Sequence, residues 1–272
     1  MSLPAALGFG GFGVLVGAFG TLIGAGGGFL LLPLLIFLYP HDSPALLTGI
    51  SLSVVFANAL SGSIAYARLR RIDLRAGLVF AAAGLPGAIL GAFATSLVDR
   101  RTFDPVFGGA LMVAAVLMLL HPHALVAPPA TRTRTLVESG GTVYRYAPRT
   151  VLGAGITVGV GFASSFLGIG GGIIHVPVMV YFLGFPIHVA TATSHFVMAL
   201  LVFAAVVVHA GTGTLLSAWN RIVPLACGVL VGAQAGAWLS SRVKGTWILR
   251  SLALALASVG LRLLLAGSAL RR

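Results

Sequence analysis

The sequence predicts an all-α integral membrane protein made of two homologous repeats. Three observations carry this reading: a composition too apolar for water, a string of apolar runs of membrane-spanning length, and a duplicated glycine motif. The 272 residues are 58% hydrophobic and 8% charged, with 37 glycines. A soluble domain carries about 25% charged residues. A chain so poor in charge cannot coat its own surface with polar groups, which excludes soluble enzymes, nucleic-acid modules and disulfide-rich secreted domains together. The net charge of +12 arises from 17 basic residues against 5 acidic ones. All the basic residues but Lys244 are arginines, most of them between apolar runs, a pattern that fits cytoplasmic loops facing anionic lipid rather than nucleic acid. The lone Cys227 excludes a disulfide framework and a cysteine-based zinc site. Met1–Leu7 lacks a basic region, so no cleaved signal peptide is expected.

The apolar runs are 5–38, 45–66, 77–98, 105–120, 151–183, 189–209, 222–241 and 247–266. One crossing needs roughly 20 apolar residues, so 5–38 and 151–183 are too long for a single helix. Each holds a glycine cluster, Gly24-Ala25-Gly26-Gly27-Gly28 and Gly168-Ile169-Gly170-Gly171-Gly172. Glycine costs a helix about 1 kcal/mol per residue, so each run reads as two helical pieces around a break. Residues 121–149, with Pro128-Pro129, several arginines and Ser139-Gly140-Gly141, read as a polar cytoplasmic linker. The expected organisation is a first repeat over 1–120, the linker over 121–149, and a second repeat over 150–272.

The halves align at three landmarks in the same order. Gly24 through Pro33 matches Gly168 through Pro177. Thr48-Gly49-Ile50-Ser51 matches Thr191-Ala192-Thr193-Ser194, and Gly87 to Gly91 matches Gly232 to Gly236. Such duplication is characteristic of secondary transporters. Gly-rich backbone at membrane depth survives only when buried in protein or lining a wet cavity. The helix after each break, starting near Phe29 and Ile173, offers free N–H groups and a positive dipole end to an anion. Two such breaks suggest one shared anion site near the midplane.

The five acids, Asp42, Asp73, Asp99, Asp104 and Glu138, lie in loops or at span ends, which disfavours a carboxylate cation site or proton relay. The groups within spans are neutral or histidine. The candidate substrate-binding set is therefore Gly26, Gly27, Gly28, Phe29, Ser51, Asn58, Gly170, Gly171, Gly172, Ile173, His175, Thr193, Ser194, His195 and Gln234. If transport is proton-linked, His175 or His195 is the natural proton carrier; the rival is voltage-driven movement of the anion alone. Gly8-Phe9-Gly10-Gly11-Phe12-Gly13 fits the dinucleotide fingerprint, but no strand precedes it. Small-residue helix packing explains it, as it does Gly87-x-x-x-Gly91 and Gly232-x-x-x-Gly236. Ser194 and His195 are adjacent and face different ways on a helix, and no Gly-x-Ser-x-Gly elbow is present, so neither catalysis nor a cofactor is expected.

The doubled Gly-x-Gly-Gly-Gly…Pro segment with Ala190-Thr191-Ala192-Thr193-Ser194 resembles the TauE/SafE sulfite exporter family over essentially the whole chain outside the linker. The first copy departs at Leu46-Leu47-Thr48-Gly49-Ile50-Ser51, where an Ala-rich Thr-Ser is typical. The resemblance implies a multi-pass transporter of a bacterial-type inner membrane, exporting a small sulfur-containing anion such as sulfite or an organosulfonate. An anion channel and an accessory membrane protein are the alternatives. Partners are the anion and the bilayer, with no nucleic acid.

Topology turns on the broken runs. If each crosses once, the repeats are parallel; if each is a re-entrant hairpin accompanied by three spans, they are inverted. Both arrangements put the same number of basic residues on each side, so charge does not choose. Run 5–38 without its break holds about 30 helical residues, roughly 45 Å. That exceeds one crossing, and length favours hairpins and inverted repeats.

Overall fold

The computed structural model describes residues 3–120 and 133–240, with 242–243, 253–254, 257–258 and 260–261. Linker residues 121–132 and most of run 247–266 lie outside the described residues. Helix α1 (Leu3–Leu22) is followed by a break and α2 (Gly28–Leu38), then α3 (Pro44–Arg68), α4 (Leu74–Thr95) and α5 (Arg100–Leu120). Strands β1 (Arg134–Val137) and β2 (Val143–Tyr146) come next. Helix α6 (Thr150–Phe166), a second break, α7 (Gly172–Pro177), α8 (Ile187–Gly211) and α9 (Trp219–Ser240) complete the described chain. Helix α7 runs on through a wider π turn, Val178–Phe182, which begins after Pro177, a residue with no N–H to give an ordinary helical ladder. Among the described residues, α1, α3, α4, α8 and α9 are long and apolar enough to cross a membrane.

Helix starts follow local chemistry. Ser43 accepts the Leu46 N–H ahead of α3, with Pro44 in the first turn, and Asp73 accepts the Ala76 N–H ahead of α4. Glycines set the closest packing. A Cβ on Gly13 or Gly17 of α1 would lie within 2.7 Å of the Leu225 or Val229 backbone of α9, and Gly236 faces Ala18 in return. Gly87 and Gly91 of α4 face the Val158 and Phe162 carbonyls of α6, and Gly161 faces Gly84. Backbones approach this closely only where the side chain is a hydrogen.

These contacts also give directions. Residue numbers rise together along α1 and α9, and along α4 and α6, so each pair is parallel. Ser61 bonds Leu230 and Arg71 bonds Ser240, which makes α3 parallel to α9. Asp73 meets Thr193 and Gly84 meets Leu201, which makes α4 parallel to α8. Gly49 meets His209 while Gly62 meets His195, so α3 and α8 are antiparallel. Helices α1, α3 and α9 thus run one way and α4, α6 and α8 the other. Since α1 and α3 share a direction, the chain between them must double back. The end of α2 confirms the return: the Ile36 and Tyr39 carbonyls accept from Arg100 at the start of α5, and Asp42 pairs with Arg221 at the start of α9. In the second half the Leu183 carbonyl, beyond the π turn, accepts the Arg149 N–H ahead of α6. Both broken runs are hairpins.

The expectation of an all-α chain needs one correction. Residues 134–146, part of the polar linker, form an antiparallel hairpin with Arg134 opposite Tyr146 and Val137 opposite Val143. Ser139-Gly140-Gly141 supplies its turn, with Gly141 at φ 85°. The hairpin is clamped over the α3–α4 loop. Buried Arg71 donates to Glu138 at 2.8 Å and to Ser240 at 3.1 Å. Arg134 donates to Asp73 at 2.8 Å, and the Tyr146 hydroxyl donates to the same carboxylate at 2.9 Å.

Burial, and then the Asp73 carboxylate, push the Tyr146 hydroxyl above its ordinary 10.0. The folded state therefore holds its proton where the unfolded chain gives it up. The contribution is intact below about pH 10 and is lost as pH rises beyond it. Tyr146→Phe should lower stability at neutral pH by about 1 kcal/mol through the lost hydrogen bond, and should flatten the alkaline decline. Melting curves of both proteins in detergent across that range test this; equal alkaline slopes would refute it.

Candidate functional site

Each break is built by glycines that an L side chain would strain. Gly24, Gly26 and Gly27 have φ of 76°, 73° and 81°; Gly168, Gly170 and Gly171 have 67°, 83° and 79°. The first break is tied to α1 by Ala25 and Gly26 N–H groups that both donate to the Gly20 carbonyl, at 2.8 and 3.1 Å. The second is tied to α6 by Ile169 donating to Ser164 at 3.2 Å. Left-handed Gly27 and Gly171 then cap α2 and α7. Leu30 and Leu31 donate to the Gly27 carbonyl, and Ile174 and His175 to that of Gly171. The N–H groups of Gly28, Phe29, Gly172 and Ile173 thus fall in the first turns, ahead of any intrahelical acceptor. The helices begin one residue earlier than expected, at Gly28 and Gly172.

The two breaks cross backbone against backbone. A Cβ on Gly28 would sit 2.8 Å from the Ile169 carbonyl oxygen, and one on Gly172 would sit 2.7 Å from the Ala25 Cα. Val55 of α3 and Met198 of α8 fill the centre, each packed against both Gly26 and Gly170. Thr191 covers Gly24, and Thr48 covers Gly168.

Polar groups gather around this crossing. Ser51 donates to the Gly168 carbonyl at 2.7 Å, tying α3 of one half to the break of the other. Thr21, at the end of α1, donates to Asn58 Oδ1 at 3.1 Å and lies 3.2 Å from His195 Nε2. Tyr66 donates to the Thr21 carbonyl at 2.7 Å and meets the His195 ring edge-on. Thr21, Asn58, His195, Ser164, Ser165 and Ser194 are all fully buried. Asn58 Nδ2, His195 Nδ1 and the Ser164, Ser165 and Ser194 hydroxyls have no hydrogen-bond partner. Ser164 Oγ points at the second break, 2.7 Å from where a Gly171 Cβ would be.

The sequence candidates divide accordingly. Gly26, Gly27, Gly28, Phe29, Ser51, Asn58, Gly170, Gly171, Gly172, Ile173, Ser194 and His195 belong to the crossing or to the helices packed on it. His175 points away, 3.3 Å from Thr157 and edge-on to Phe80. Thr193 accepts the Asp73 N–H at the start of α4. Gln234 is exposed on α9 and donates to Ser61. Sequence reasoning left Thr21, Tyr66, Val55 and Met198 out of the site. Val55 and Met198 stand at matching places when the glycine and threonine landmarks of the two halves are aligned, as do Thr21 and Ser165, and that alignment contained a signal for them.

Chain-wide comparison bears on this arrangement. The family profile described as Sulfite exporter TauE/SafE matches residues 9–263. The chain is 30% identical over 263 residues to the probable membrane transporter protein YunE of Bacillus subtilis, covering 94% of this chain and 96% of that protein. It is 33% identical over 171 residues to a probable membrane transporter protein of Xylella fastidiosa, covering 63% of this chain and 61% of that one. A probable membrane transporter protein of Methanocaldococcus jannaschii is 26% identical over 172 residues, covering 61% of this chain and 58% of that one. No solved structure matches.

The Ser51 bond is the site's clearest test of cohesion. Ser51→Ala should leave the buried Gly168 carbonyl unpaired and cost about 1–3 kcal/mol. A melting temperature equal to wild type in detergent would show that the bond holds nothing.

Proposed function

The chain belongs to the sulfite exporter TauE/SafE family of membrane transporters, and on that premise we propose that it exports a small sulfur-containing anion of the sulfite or organosulfonate class. The anion binds where the two glycine breaks cross. The observation that carries this reading is the pair of helix starts brought backbone to backbone: first-turn N–H groups and positive dipole ends serve an anion. Two buried donors without partners stand beside the same place: Ser164 Oγ aims at the second break, and Asn58 is tied through Thr21 to the end of α1. Val55 and Met198 fill the centre, which suits a carrier that must rearrange rather than an open channel.

The architecture we infer is two inverted repeats. Helices α3 and α8 carry matching sequence landmarks yet run antiparallel, as a two-fold axis in the membrane plane requires. The hairpin face is cytoplasmic in this reading. Arg68, Arg70, Arg71, Arg75, Arg134, Arg145 and Arg149 crowd it, while Arg100, Arg101 and Arg221 lie at the other face, in line with the positive-inside tendency. The start of the chain is then outside, the linker inside, and the membrane is the bacterial inner membrane. Export of an anion from a negative interior is favoured by about 2.3 kcal/mol per charge per 100 mV and needs no titrating residue. A proton-coupled mode would use His195, which adjoins the first break.

Flux of sulfite and methanesulfonate from liposomes tests the function. Asn58→Leu should reduce flux at least about tenfold, the equivalent of one lost hydrogen bond to a charged ligand, and Gly27→Val or Gly171→Val should abolish it. Cys227→Ser, at an exposed position on α9, should transport normally. Wild-type rates in Asn58→Leu and both glycine variants would place the site elsewhere. In the Cys227→Ser background, single cysteines at positions 2 and 135 should label from opposite sides of the membrane. Labelling from one side would refute the hairpin topology.

A further inference from the structure

We propose that the site selects the singly charged form of its ligand, a sulfonate or hydrogen sulfite, and rejects the dianions sulfite and sulfate. This rests on the export reading above and specifies the ionisation state that the site accepts. The first observation is the absence of formal charge from the segments that build it. Residues 1–41, 43–67 and 150–220 contain no Asp, Glu, Lys or Arg. They supply α1, α2, α6, α7, α8, both breaks and all but the last residue of α3. The nearest charges on the hairpin face are engaged with each other: Arg71 with Glu138, and Arg134 with Asp73. At the opposite face Arg221 pairs with Asp42, and Arg100 with Asp104.

The buried cation nearest the cluster, Arg71, is neutralised by Glu138, so an anion at the crossing meets mainly dipoles. The desolvation cost of an ion grows with the square of its charge, so a dianion pays about four times what a monoanion pays. The compensation available is one unit. Each helix start presents roughly half an elementary charge. The helical stretches Gly28–Leu38 and Gly172–Phe182 both begin at the crossing, and together they supply about +1.

The second, independent observation is the set of orphaned donors. Asn58 Nδ2 and the Ser194 and Ser164 hydroxyls are fully buried and unpartnered. Ser164 aims at the second break, and Asn58 is tied through Thr21 to the end of α1. A buried donor left unpaired carries its full desolvation penalty, and oxyanion oxygens at the crossing would relieve those that reach it, Ser164 and Asn58. The titratable groups facing this cluster are His195 from α8 and Tyr66 from α3, with the ion-paired Arg71 behind Tyr66 and the ion-paired Asp73 beyond Thr193.

Competition and flux in liposomes, with three probes from about pH 6 to about pH 9, test the inference. Methanesulfonate is a monoanion throughout, and its flux should stay level, which also reads out any titration of His195. Sulfite loses its second proton near neutrality. Its flux at fixed total concentration should fall about tenfold per pH unit beyond that point. Sulfate should compete with methanesulfonate at least about 100-fold more weakly than hydrogen sulfite does. Asn58→Asp, close to isosteric, should abolish methanesulfonate flux near neutrality and recover part of it in acid, when the new carboxyl is protonated. Sulfate competing as well as hydrogen sulfite, or sulfite flux following the dianion, would overturn the inference and leave the export reading standing. Silence of all three probes would overturn the export reading itself.

Discussion

A backbone N–H without a partner is costly in an apolar medium, and a membrane-embedded chain normally answers by winding every residue into uninterrupted helix. This protein does the opposite at its centre. It interrupts two helices, at Gly24–Gly28 and Gly168–Gly172, and sets the interruptions against each other. Everything nearby serves to make that tolerable. The Gly20 and Ser164 carbonyls take up N–H groups from the breaks. Ser51 reaches across to the Gly168 carbonyl. Left-handed glycines restart the helices without a Cβ clash. The outer pairs, α1 with α9 and α4 with α6, are cemented by glycine contacts that leave no room between them. A rigid, tightly packed periphery lets the strained centre keep its shape.

The pairing has a consequence for motion. Helices α1, α3 and α9 share one direction, and α4, α6 and α8 share the other. Each group draws members from both halves of the chain, so neither half of the sequence is a body by itself. The α1–α9 and α4–α6 contacts are backbone-close; those between α3 and α8 run through side chains such as Val55, Met198 and the His195 ring, as those of α4 with α8 run through Phe196 and Leu201. Side chains can change rotamer, whereas glycine-packed backbones cannot slide without losing their fit. The hairpin clamped on the α3–α4 loop bridges the seam between α3 and α8 at one face. There Arg71 holds Glu138 and Ser240, while Asp73 holds Arg134, Tyr146 and, through its N–H, Thr193.

Much of this was legible in the sequence because the membrane removes alternatives. Apolar length gave the spans, and glycine clusters inside runs too long for one helix gave the breaks. The surplus length of run 5–38 pointed to a hairpin even where charge counting was silent. The β-hairpin escaped for a physical reason. Residues 134–137 and 143–146 are short, part polar and rich in arginine, and what fixes them is a carboxylate far away in sequence, Asp73, together with Arg71. Tertiary ion pairs of that kind leave no periodic trace. The same limit applied to His175 and His195. Both are intramembrane histidines close to a glycine motif, and only the helix directions separate one that meets Thr21 and Asn58 from one that meets Thr157 and Phe80.

The polar node around His195 is also where the two halves differ. Thr21 in the first half corresponds to Ser165 in the second, but Asn58 and His195 have no polar counterparts at matching places: His195 aligns with Leu52, and Asn58 with Leu201. The Thr21–Asn58–His195 cluster consequently exists only once, on the hairpin side of the crossing. The two glycine motifs supply two similar helix starts, at Gly28 and Gly172. Divergence then places amide, imidazole and hydroxyl groups on one side of them. A ligand at the crossing would meet a dipole field that is nearly symmetric and a hydrogen-bonding environment that is not. That asymmetry, rather than the breaks themselves, gives the two faces of the protein chemically distinct approaches to the same centre.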